Sequence, residues 1–427
     1  MSVITIDQAI AGASNVLIAV LAARVLGVAS FGLFGIVFLV YVMVQGVSRA
    51  LVCDPLLVHT TEAKEKPGDA IGTSCMLGVG LTAVVLLGSF GARMWHPELG
   101  DALIVLAVFV PLLILQDLGR YLGFATQRPS SAVVLDVTWL VLLIGAIPVL
   151  LITDARTLTW FIVAWAGSGA LAGLLMLWQQ RGARIRLDLS WLRHTWMFSW
   201  RYLVSYTSAQ GAALAGSTAV GGIVSTRALG AVQGTILLAR PFGTIQAAAV
   251  AAGVAGISRS TDDGAQVRRR GVKITTLTTA IAVVNAVVML ILPTGLGELV
   301  LGATWKATKP LLLPTGVQIV CLGLITGARA GLLGMRAVRK TVVIDVASTV
   351  VVLSATVAGA LINGVLGALW AVAFAQGLAA VAWWMVFWTY AGHFAPAAPD
   401  VRQPDLIEAD PPSPPVLNLP AALPPMA

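Results

Sequence analysis

A guanidinium in the middle of an apolar run is the feature of this sequence that most restricts its chemistry. Arg240 stands in TILLARPFGTIQAAAVAAGVAG, with Pro241 and Gly243 beside it to bend or loosen a helix. An ionisable group in hydrocarbon is costly and faces a cavity or a partner. Arg240 could therefore grip a phosphate in bidentate fashion as it passes. The alternative is a structural cation, paired with a carboxylate of another helix or snorkelling to the headgroups. The other apolar runs are read as offering no deep carboxylate for such a pair. Arg49, in VQGVSRALVCDPLLV, lies nearer the end of its run. Gln45 shares its helix face at i, i+4 spacing. Arg49 suits either substrate contact or, with Asp54, an anchor for the helix end. Gln210, Gln246 and Gln318, with Gln116, Asn285 and Gln376, could line a wet cavity or hydrogen-bond between helices.

Constellations for catalysis or metal binding do not assemble. His59, His96, His194 and His393 fall at run ends or in loops, without HExxH or paired spacing, and no GxxxxGK[ST] phosphate loop is present. Cys53, Cys75 and Cys321 lie in or beside apolar runs and show neither ligand spacing nor a disulfide framework. The turn after Leu26 has no acid and no room for the outer-loop site of a lipid-dependent glycosyltransferase. No enzyme activity, metal or cofactor is expected.

Two stretches repeat each other. GRYLGFATQRPSSAVVLDV from Gly119 and ARAGLLGMRAVRKTVVIDV from Ala328 align Arg120 with Arg329 and Asp136 with Asp345 at one offset of 209 residues. Arg24-Val-Leu-Gly27 is echoed by Arg227-Ala-Leu-Gly230 at an offset of 203. An internal repeat in a membrane protein means two similar helix bundles facing each other across a pathway. The Arg120/Asp136 and Arg329/Asp345 pairs bracket short hairpins and are read as structural ion pairs, worth about 0–1 kcal/mol where exposed.

Helices through a bilayer must position these residues. Hydrophobic residues make up 58% of the chain and charged residues 11%, with a mean hydropathy of +0.90, against roughly 25% charge in soluble domains. At about 20 residues per span, twelve spans are predicted near 4–26, 31–52, 71–92, 102–122, 132–153, 158–179, 199–221, 231–256, 274–293, 310–331, 341–362 and 365–390. The fold class is an all-α polytopic membrane protein. It has two six-helix lobes, 1–179 and 199–390, related by a pseudo-twofold axis along the membrane normal. The intervening 180–198, RGARIRLDLSWLRHTW at its heart, alternates cations with apolar residues. It is either an interfacial strap with cations toward anionic membrane lipids or an ordinary basic loop. Residues 391–427, with Pro411-Pro412 and Pro414-Pro415, cannot bury a core and are expected to be a disordered cytosolic tail, passive or a polyproline ligand.

The net charge of +8 is a matter of topology. With the N-terminus inside, the outer loops hold only Arg24, Arg93, Arg156, Arg227, Lys306 and Lys309 of the 27 Lys and Arg residues. The positive-inside rule then puts both termini in the cytosol. This accounts for the basic excess without nucleic acid. The first apolar run has no basic flank or cleavage pattern and reads as a retained helix.

AARVLGVASFGLFGIVF from Ala22, RALGAVQGTILLARPFG from Arg227 and LGATWKATKPLLLP from Leu301 resemble the multidrug/oligosaccharidyl-lipid/polysaccharide flippase superfamily, closest to its polysaccharide-exporter branch. The resemblance spreads over residues 1–390. It implies a flippase in the cell inner membrane that moves a polyprenyl-linked oligosaccharide outward by alternating access, for envelope polysaccharide assembly. In related flippases, arginines on the second and eighth helices line a cavity and contact a pyrophosphate, and Arg49 and Arg240 fall at those places. The resemblance leaves H+, Na+ or membrane-potential coupling open, and it suggests a polysaccharide polymerase or glycosyltransferases as partners. Span one lacks the deep acid of multidrug exporters. A cation-coupled drug or metabolite antiporter of the same fold, and a non-transporting membrane scaffold, are the alternatives.

Overall fold

The computed structural model describes residue 14 and residues 16–58, 60–258, 264–335 and 337–393. The last helix runs to Gly392 and buries Ala391, so the predicted tail, 391–427, starts later than expected; from residue 394 onward it lies outside the described residues. Every long element is a helix: α1 (Val16–Val25 in its described part), α2 (Val28–Leu57), α3 (Pro67–Trp95), α4 (Pro97–Ala125), α5 (Pro129–Ile152), α6 (Leu158–Gln179), α7 (Ser190–Ile223), α8 (Thr226–Ser258), α9 (Gly264–Ile291), α10 (Leu312–Gly334), α11 (338–362) and α12 (365–392).

Local chemistry sets many of the ends. Pro67, Pro97 and Pro129 open α3, α4 and α5, where the missing N–H would have had no intrahelical partner. Thr157 caps α6 by accepting from the Trp160 N–H. Between α11 and α12 the chain reverses at Asn363 and at Gly364, whose φ of 58° and ψ of −145° suit only glycine. The reversal brings Gly359 against the Gly367 backbone, so that a Cβ on either would strike the other's carbonyl.

Nine stretches among the described residues are long and apolar enough to cross a membrane. One of them, Arg339–Gly392, is the α11–α12 pair, and α1 and α7 complete the twelve. In α7 the basic and small polar residues hold hydropathy down. The outward surface is apolar, with Leu87, Met94, Ile152 and Ile362 mostly exposed, as lipid contact requires.

In the first half α4 packs on α2, α3, α5 and α6. In the second half α10 packs on α8, α9 and the α11–α12 pair. α7 begins at Ser190, so the connection between the halves is residues 180–189 rather than 180–198. Asp188 accepts from both the N–H and the Oγ of Ser190, which starts the helix early and holds the Asp188 carboxyl below the usual carboxylate range. The connection is pressed onto α3: the carbonyls of Arg184 and Arg186 lie on Gly68 and Gly72, where any side chain would displace them, and Thr73 donates to the Asp188 carbonyl at 3.0 Å.

Candidate functional site

α2 and α8 pack closely on one another near their N-terminal ends, at the Gly32–Gly230 contact. Gly32 lies on Gly230, where a Cβ would come within 2.6 Å of the Gly230 nitrogen, and Gly230 in turn lies under the Val28 carbonyl. Further along, the Arg240 guanidinium sits 5.1 Å from the centre of the Phe38 ring. Beyond that point the two helices part. α8 goes to α10, where the Gln246 amide donates to the Leu322 carbonyl (3.0 Å) and to Thr326 (3.1 Å). α2 goes to α4 and α7. A cavity of about 1110 Å³ lies between them, flanked by both halves of the chain.

Its charged lining is Arg49, Arg120, Asp136, Arg240, Arg329 and Asp345. The repeat places two of these pairs alike: Arg120 of α4 meets Asp136 of α5 at 3.1 Å, and Arg329 of α10 meets Asp345 of α11 at 3.0 Å. The burial differs. The first pair is 7% and 4% exposed at its side chains, the second 44% and 37%. Both pairs bracket their hairpins as expected of structural ion pairs, but Arg120 and Asp136 lie deeper than predicted, because α4 continues to Ala125 and buries them.

Arg49 opens a π-helical turn, Arg49–Cys53, inside α2. Its partner is Asp117 rather than Asp54: Nε donates to Oδ2 at 2.6 Å and Nη2 to Oδ1 at 2.8 Å, a bidentate pair. Asp117 is fully buried and also accepts from Arg120 at 3.3 Å, while Gln116 donates to Asp136 at 2.9 Å. A deep carboxylate thus does exist in a span, which corrects the reading of the sequence. Two arginines and two aspartates compensate one another in the first lobe, and Arg49 keeps about a third of its side chain open, on the cavity. Tyr121 lies under its guanidinium, 5.7 Å away.

Of the predicted glutamines, Gln45, Gln246, Gln318 and Gln376 line the cavity. Gln45 donates to the Tyr41 hydroxyl at 2.9 Å. Gln210 does not line it. The face of α7 turned to the cavity carries Ala212, Ala213, Gly216 and Ser217, and Gln210 falls at the edge of that stripe. Sequence reasoning missed an aromatic wall on the first lobe, Phe38, Tyr41, Trp139 and Trp165, all lining the cavity. Apolar spans disguise such residues as ordinary core.

A family model described as "Polysaccharide biosynthesis protein" matches residues 20–310, more than half the sequence. The chain belongs to this family. A search of curated proteins finds no match. Among solved structures, an inward-facing multidrug resistance MATE family transporter of the MOP superfamily is 14% identical, covering 89% of this chain and 94% of its own, with a TM-score of 0.71. The lipid II flippase MurJ in an inward closed conformation is 9% identical over 90% of this chain and 86% of its own, with a TM-score of 0.69. An outward-facing MATE family transporter of the same superfamily reaches 0.59 at 14% identity, over 91% of this chain and 93% of its own. This member of the polysaccharide biosynthesis family is a multi-pass membrane protein with the MOP transporter fold.

Proposed function

We propose that the protein flips a polyprenyl-linked oligosaccharide across the cytoplasmic membrane, from the inner to the outer leaflet, by alternating access. The observation that carries this reading is the charge of the cavity: four arginines line it, against Asp136, Asp345 and the buried Asp117 behind Arg49, a net positive wall inside an otherwise apolar bundle. A cavity with excess guanidinium suits an anion with several oxygen acceptors, and a diphosphate between lipid and sugar is such a group. The same excess opposes a cationic drug. Arg49 and Arg240 would hold the diphosphate from the two halves of the chain, Arg49 exchanging part of its bond to Asp117 for the substrate.

The close α2–α8 contact at Gly32–Gly230 supports a state open at the opposite end, where α2 ends and α7 begins. By charge distribution that is the cytosolic end, the side on which such lipids would be loaded. Rocking of the halves would then open the α2–α8 seal. Coupling to H+, Na+ or the membrane potential, and assembly with a polymerase or glycosyltransferases, belong to this proposal as its next questions.

The test is flipping in reconstituted vesicles with a polyprenyl-diphosphate-linked oligosaccharide. Arg240→Ala is expected to insert normally and stop flipping. Arg240→Lys, which keeps charge but loses the fork, should retain part of it. Normal flipping by the alanine variant would remove Arg240 from the mechanism and with it the main support for an anionic substrate.

A further inference from the structure

On the reading just given, we propose that Phe38, Tyr41, Trp139 and Trp165 form a binding site for the sugar rings of the substrate, set beside Arg240, which takes its phosphate. Trp165 is the back of the wall, 1% exposed. Tyr41 meets it edge-on at 4.9 Å, Phe38 lies 5.8 Å from it, and Trp139 stacks on it at 6.5 Å with 28° between the planes. Trp139 is half-buried, and its Nε1–H donates to the Trp165 carbonyl at 3.1 Å. That bond spends the indole's one donor inside the protein and fixes the ring. What Trp139 can offer a ligand is its π face. Phe38 joins this wall to the Arg240 guanidinium.

These rings also pack into the core of the first lobe, but the repeat does not carry Trp139 over to the second lobe. The repeat places Ser348 at the position equivalent to Trp139, 209 residues on, and Ser348 lines the same cavity from the other lobe. At this position one lobe meets the cavity with an indole ring and the other with a hydroxyl. Gln376 also lines it, and its Oε1 is buried without a hydrogen-bond partner, an acceptor that a ligand hydroxyl would satisfy. A pyranose has the matching two-sided chemistry: an apolar C–H face that packs on the electron-rich face of a ring, and hydroxyls around its rim. The phosphate cannot use the wall, because the ring quadrupole repels an anion. Rings and arginine therefore divide the substrate between them.

The full-length protein in nanodiscs would be titrated with polyprenyl diphosphate, with the same lipid bearing a neutral disaccharide, and with the free disaccharide. The wild type should bind the sugar-bearing lipid at least tenfold more tightly than the bare lipid. Trp139→Ala should lose about tenfold toward the sugar-bearing lipid and leave the bare lipid within twofold. Trp139→Phe, which keeps a ring face, should recover most of the loss, and Arg240→Ala should weaken both lipids. Equal affinity of the wild type for the two lipids, or an equal loss on both in Trp139→Ala, would overturn the sugar site. Binding of the free disaccharide but of neither lipid would overturn the lipid-linked substrate and leave the wall standing. Binding of none of the three would overturn both.

Discussion

Asp117 determines what Arg49 costs and what it can do. It is fully buried and shared between Arg49 and Arg120, so removing its charge strands the Arg49 guanidinium and leaves Arg120 with Asp136 alone. Asp117→Asn should lower stability by about 3 kcal/mol, the lower end for breaking a buried pair, since Arg49 keeps some access to water. Asp345→Asn breaks the pair at the repeat's other copy, but both partners there are more than a third exposed, and the cost should be under about 1 kcal/mol. Thermal unfolding of the two variants in the same detergent checks the contrast; equal losses would mean that burial does not separate the copies. The sequence reading misses Asp117 because it ends the fourth span at residue 122, just past Arg120, which moves everything near it toward the membrane edge. The spacing Asp117 to Arg120, i and i+3 on one helix face, was the available signal. The repeat held another: at Asp117's equivalent position the second lobe has Thr326, which accepts from an uncharged glutamine.

At the scale of elements, glycine decides how closely α2 and α8 cross. Gly230 leaves no room for a Cβ beneath the Val28 carbonyl, and Gly32 none against Gly230. Gly230→Leu should insert yet fail to close that end. A cysteine at Ser217, on the cavity face of α7, should then react with an impermeant thiol reagent from both sides of the membrane, in a background lacking the three native cysteines, where the parent reacts from one side only. One-sided labelling in the leucine variant would show that the seal lies elsewhere. The twelve helices and the repeat were legible because hydropathy and residue spacing record spans directly. The π turn at Arg49–Cys53 was not, since nothing in RALVC distinguishes it from α-helix, and it is this turn that accompanies the pairing of Arg49 with α4 rather than with Asp54. Nor was the aromatic wall, because a tryptophan facing a wet cavity and one facing a core have the same hydropathy.

The whole molecule joins two asymmetries that arose separately. The loops after the even-numbered helices carry most of the cations, and α2 and α8 pack tightly at the opposite end, where Gly32 meets Gly230. Positive charge stays on the cytosolic side during insertion, so the open end should face the cytosol and a lipid-linked precursor made there would find it. Reporter fusions after Arg186 and Arg270 should both read cytosolic. Truncation after His393 should leave insertion and flipping intact, because the removed segment is too rich in proline and charge to bury a core; loss of flipping at a normal protein level would instead require a cytosolic partner for the tail. The stricter test joins topology to conformation. Gln45 lines the cavity toward its open end, one turn before Arg49. In the same cysteine-free background, Gln45→Cys should label with an impermeant reagent added to the cytosolic side and resist it from the other side. Adding the sugar-bearing lipid should slow that labelling, since its diphosphate would occupy the space beside Arg49. Labelling from the outer side alone would reverse the orientation of the bundle, and with it the direction of transport proposed here.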